Sequence, residues 1–296
     1  MKHVFSGLLR LLLLLLAVAG TAGAQELRLT VEGPPSLEPV ATRIREIDLA
    51  RLGDALGRAG LSAPADARIA LLPEEHPRAR AAPAWVVAQA SGFRDIVIFP
   101  ARVGTYPHDT LESVVWHEVV HLALSIQAGG RPLPRWFHEG TAVSVEKGWG
   151  VGSQVRLILA AFDEPGLADL DRLFAADAQP ENASAYLLAA ALVGDLRRRH
   201  GAAAPGAIAA RVATGIPFAQ AFEIETGERP DEAADRAWGT YRRWTSWIPV
   251  ITSVSAVWLG ILGLALLAFV ASRRARARRR RRWDEEERYA GPEDRA

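Results

Sequence analysis

The chain has no cysteine. That single absence excludes disulfides, thiolate metal ligands and a cysteine nucleophile together. Any bound metal must therefore be held by histidine and carboxylate. Lysine is nearly missing too, present only at Lys2 and Lys147, so the basic residues are almost all arginine. Together with the abundance of alanine, this reads as the mark of a GC-rich genome and not as chemistry. Net charge is also close to nothing: 35 basic against 34 acidic residues leave +1. No global field points to nucleic acid. Repeats and long low-complexity linkers are lacking, so a single exported domain is the simplest reading of the central chain.

What is present begins with two apolar runs near the ends. Lys2 and Arg10 precede the run Leu11 to Gly20, which is too short to span a bilayer. Ala22-Gly23-Ala24 fits the small-residue cleavage rule, so residues 1–24 are expected to be a signal peptide. Trp247 to Ala271 carries no charge, and is expected to form one C-terminal transmembrane helix over residues 247–271. The arginine-rich stretch Arg273 to Arg282 follows at once, which marks the cytoplasmic side. On this reading residues 25–246 form an extracytoplasmic domain. Residues 272–296 form a cytoplasmic tail, basic and then acidic, and the acidic part is expected to be disordered. The expected localisation is the cell membrane, single-pass.

Inside the central domain, Glu26 to Glu32 alternates apolar and polar residues and predicts a strand. Val40 to Gly60 has helical spacing at Ile44, Ile47, Leu52 and Leu56. "RIALL" and "DIVIF" read as short strands, the second open to two readings, an edge strand that pairs with an extended substrate or an ordinary core strand. A helix is expected from about Thr110, with Asp109 and Glu112 as its capping box and Gly129-Gly130 as its stop. Leu111, Val115, Val119, Leu122 and Ile126 give it one buried face. Further helices are expected from "WFHEGTAVSVEKG" and through most of the remainder to Trp244.

The helix from Thr110 carries "WHEVVHLAL". Two histidines at i and i+4 can point two imidazoles at one tetrahedral ion, and the glutamate beside the first can reach a metal-bound water. The pair lies off the apolar face. A third ligand candidate, Glu139, follows His121 by 18 positions within "PRWFHEGTA". On a second helix packed antiparallel to the first, it could face the two histidines. His138, its neighbour, points about 100° away on a helix and suits a supporting or solvent-facing role. Trp136 and Phe137 read as packing residues, and His200 as a helix C-terminal residue.

"HEVVH" followed by "LPRWFHEGTAV" resembles the gluzincins, zinc metallopeptidases whose third ligand is a glutamate on the next helix. It is most similar to the peptidase MA-like domains of bacterial exported and membrane-anchored proteins. The resemblance spans about Ala65 to Trp244. It implies an α+β zincin-like domain: a small sheet, an active-site helix with the HExxH motif and a mostly helical C-terminal half. It implies Zn2+ bound by His117, His121 and Glu139, with Glu118 as general base. It implies a protein or peptide substrate met outside the cytoplasm, with Tyr186 a candidate to steady the oxyanion against a plain packing role. Gly140 would let helices approach closely. The gap from the second histidine to the glutamate is slightly shorter than in thermolysin-like or aminopeptidase members, which places the difference in the loop Arg131 to Arg135. Two other readings compete: a non-catalytic binding module of the cell envelope, and zinc-dependent hydrolysis of a non-peptide amide.

Overall fold

The computed structural model describes residues 27–104, 110–146, 166–175, 179–245 and 254–289. The expected signal peptide lies outside these residues. The chain divides into two units, Met1–Tyr241 and Arg242–Ala296.

The first unit is α+β, with a four-stranded sheet and mostly helices. Strand β1 (Arg28–Glu32) runs parallel to β2 (Asp66–Leu71), and β2 runs parallel to β4 (Asp95–Ile98). Strand β3 (Ala88–Ser91) pairs antiparallel with β4, giving the order β1-β2-β4-β3. The β3–β4 hairpin turns at Gly92, whose positive φ of 63° suits glycine. In β2, Ala67, Ile69 and Leu71 are buried in alternation, as one covered face requires. Ile96, Val97 and Ile98 of β4 are all buried, so this strand is covered on both faces. "DIVIF" is therefore an interior strand and not the edge. The edges of the described sheet are β1 and β3, the latter "AQAS", whose small and polar residues have little strand propensity.

The helix expected over 40–60 is two helices, α1 (Glu38–Arg45) and α2 (Leu49–Arg58). The break follows from Asp48, whose side chain accepts from the Arg51 N–H at 3.0 Å and caps α2. A short helix, α3 (Pro77–Ala81), follows β2.

Helix α4 (Leu111–Gln127) is the centre of the domain. Its cap differs from the sequence expectation: Asp109 lies outside the described residues, and the capping box is made by Thr110 and Ser113. The expected single apolar face is too narrow. Val114, Trp116, Val120 and Leu124 are buried along with Leu111, Val115, Val119 and Leu122, so α4 is covered on most sides. Gly129 and Gly130, both with positive φ, end it.

Helix α5 (Arg135–Glu146) packs on α4 and on the long helix α7 (Gln179–His200). A Cβ on Gly140 would run into the Ala189 carbonyl of α7. The close approach that Gly140 permits is thus between α5 and α7. Trp136 and Phe137 are buried, as expected of packing residues. Around α7 lie α6 (Leu167–Ala175), α8 (Ala204–Ala213), α9 (Phe218–Thr226) and α10 (Pro230–Thr245). The Trp238 indole donates to the Leu188 carbonyl at 3.1 Å and ties α10 to α7.

In the second unit, helix α11 runs from Val254 to Tyr289. Here the expected transmembrane helix over 247–271 and the single-pass membrane placement need correction. Among the described residues no helix is long and apolar enough to cross a membrane. Residues 246–253 lie outside the description. Helix α11 continues without a break past Ala271. Arg273 to Arg282 continue it, so most of the expected tail is helical.

Candidate functional site

His117 and His121 lie one turn apart on α4, with ring centroids 4.7 Å apart and planes at 83°. Both rings leave the helix toward α5. Oε2 of Glu139, on the first turns of α5, stands 3.1 Å from Nε2 of His117 and 3.4 Å from Nε2 of His121. The structure thus brings together all three residues that the sequence picks out. Glu118 joins them: one ligand atom each from His117, Glu118 and His121 lie within 4.8 Å of one another. This buried group could bind a metal ion.

The group is nearly dry. His117 and Glu118 are 1% and 3% exposed. Burial works against charge on His117, yet its contacts with Glu139 and Glu146 outweigh that and raise its pKa to about 10. Glu139 shows the mirror effect. Burial opposes its charge, but His121 and His117 hold its carboxyl well below the usual range. Burial pushes the Glu118 carboxyl up, offset in part by both histidines. The backbone N–H of Ala90 also donates to the Glu118 carboxylate. That bond matters for placement, because Ala90 belongs to the edge strand β3.

Two more α5 residues support the group. His138 Nδ1 lies 3.4 Å from His121 Nδ1, and burial followed by the nearby His121 lowers the His138 pKa to about 4. His138 thus sits against the ring of His121. Arg135 Nε sits 3.7 Å from Oε1 of Glu139, the carboxylate oxygen other than the one that meets the histidines.

Tyr186 of α7 reaches the same place. Its ring centroid is 6.3 Å from that of His117, and it packs edge-on against Phe174 at 5.3 Å. Burial, then Glu139, raise its pKa well above 10, so the phenol keeps its proton. It is both a packing residue and a lining residue. His200 does not line the cleft; its Nε2 is 3.7 Å from Glu228 Oε1.

A cleft of about 670 Å³ opens over the group. It is lined on one side by Pro83 and by Trp85 to Gly92, including all of β3. The other carries Leu133, Arg135, His138 and Tyr186, with His117, Glu118, His121 and Glu139 on the floor.

The sequence reading missed three participants: β3, Arg135 and Glu146. Oε2 of Glu146 lies 3.5 Å from Nδ1 of His117. A signal for it existed, since Glu146 follows Glu139 by seven positions and shares its helix face.

No family model, no curated protein and no solved structure matches this chain.

Proposed function

We propose that the chain is a zinc-dependent hydrolase of peptide bonds. The observation that carries this reading is the convergence of three ligand atoms on one point. Four tetrahedral ligands at the usual zinc distances stand about 3.3 Å from each other. The Glu139 carboxylate oxygen is 3.1 and 3.4 Å from the two Nε2 atoms. Two imidazoles and one carboxylate, with no thiolate in the chain, are a donor set that zinc accepts while keeping one position open. The resemblance of "HEVVH" and "WFHEGTA" to the gluzincins points the same way.

Glu139, and not Glu118, is the third ligand on this reading. Its Oε2 faces both Nε2 atoms, whereas the Glu118 carboxylate is engaged by the Ala90 N–H on the cleft side. A bound zinc ion would supply Lewis acidity and lower the pKa of a water to about 7. Glu118 would take the proton of the attacking water at its carboxylate as the water oxygen bonds to the substrate carbonyl carbon, and would deliver it to the amine as the C–N bond breaks. Burial raises its pKa, which brings it closer to that task at neutral pH. Tyr186, held neutral by burial, is the candidate to donate its O–H to the developing oxyanion on this reading.

The substrate class follows from β3. Among the described residues its outer edge pairs with no other strand, and it lines the cleft directly beside Glu118. An extended peptide can add to that edge through main-chain hydrogen bonds and bring its carbonyl over the group. The test is Glu118→Gln, assayed for metal content and for cleavage of a peptide library. Retained metal with lost cleavage supports the reading. Unchanged cleavage removes Glu118 from the mechanism.

A further inference from the structure

Helix α5 brackets His117 from both sides. Glu139 meets its Nε2, and Glu146, two turns further along the same face, meets its Nδ1 at 3.5 Å. Both the His117 and the Glu146 side chains are only 2% exposed. A carboxylate is costly to bury, so its place behind a ring nitrogen calls for a purpose. We infer that Glu146 is a positioning residue that sets the His117 imidazole for metal binding; this rests on the metal-site reading above.

The chemistry is specific. A carboxylate only accepts, so the His117 nitrogen facing it carries the proton. The other nitrogen, Nε2, then presents its lone pair toward the point it shares with His121 and Glu139. A negative charge behind the ring also makes that lone pair a better donor. His121 is backed differently. Its Nδ1 faces Nδ1 of His138 at 3.4 Å. The two ligand histidines therefore receive unequal support: one from a carboxylate, one from an imidazole. Both supporting groups, like Glu139 itself, come from α5.

The experiment compares the full chain as wild type, Glu146→Gln and Glu146→Asp. Zinc affinity is measured by chelator competition, and the visible absorption of the Co2+-loaded protein reports the ligand field. Glu146→Gln keeps the shape and removes the charge. It is expected to weaken zinc binding about 10- to 100-fold and to alter the cobalt band. Glu146→Asp keeps the charge one methylene further away, and is expected to fall between the two. If Glu146→Gln does not fold, Glu146→Asp against wild type decides alone: weaker binding supports the inference and equal binding overturns it. Wild-type affinity and an unchanged cobalt spectrum in Glu146→Gln overturn it while leaving the metal site standing. A wild-type chain that binds neither metal overturns the metal-site reading and this inference with it.

Discussion

Oε2 of Glu139 stands 3.4 Å from Nε2 of His121, although 18 residues separate the two in the chain. The distance is set by two helices. Helix α4 presents the histidines, and α5 returns after a short loop to lay its glutamate across them. Neither helix could hold the group alone. Removing Glu139 leaves two imidazoles on one helix, which is a weak chelate.

Glu118→Gln isolates the proton-transfer step. Zinc content is expected to stay at the wild-type level, because the three proposed ligands are untouched. Peptide cleavage is expected to fall by about two to four orders of magnitude, the usual worth of a placed general base. Metal analysis and kcat on one peptide check both halves.

Tyr186→Phe removes only a hydroxyl. It is expected to lower kcat by about 10- to 1,000-fold with little change in KM, since an oxyanion donor acts on the transition state. A changed KM with unchanged kcat would return Tyr186 to packing against Phe174 alone.

The metal-free protein is expected to lose stability as pH rises from about 6.5 to about 10. His117 has a folded pKa raised to about 10, above its unfolded value of 6.5. Its contribution is therefore complete below pH 6.5 and lost as pH climbs through the folded value. His138 has the opposite sign. With a folded pKa lowered to about 4, it contributes above pH 6.5 and loses that contribution as pH falls toward 4. Thermal melts across this range check the slopes. Zinc loading is expected to flatten the alkaline one, because a metal-bound His117 no longer carries the extra proton.

Gly140→Ala tests the packing that places Glu139. The added Cβ meets the Ala189 carbonyl, and neither helix backbone can yield cheaply. A loss of about 1–3 kcal/mol is expected by denaturant unfolding. Zinc affinity should fall with it, since Glu139 sits next to the displaced residue.

The histidine pair was legible because i, i+4 spacing on a helix is a fixed geometry. Glu139 was legible only through its surrounding "WFHEGTA", since no periodicity links two separate helices. The strands "RIALL" and "DIVIF" announced themselves by their β-branched residues. Strand β3 did not, because "AQAS" looks like a loop and owes its extended form to pairing with β4. Of the two readings open for "DIVIF", edge strand or core strand, the core strand holds, and the cleft-side edge is β3. Glu146 was hidden by a different cause. A lone glutamate near a helix end normally faces water, and only the packing of α5 onto α4 turns it inward. The expected membrane span rested on uncharged length, yet among the described residues no helix is long and apolar enough to cross a membrane, and α11 carries the arginines within the same helix.

The most direct measurement is the metal content of the purified chain, by elemental mass spectrometry, for wild type and for His121→Ala and Glu139→Ala. The account predicts about one zinc per wild-type chain, the load of a three-ligand site. It predicts little or none in His121→Ala and a strongly reduced load in Glu139→Ala. A wild-type chain that stays metal-free after zinc reconstitution would contradict it, and so would full zinc retention in both variants.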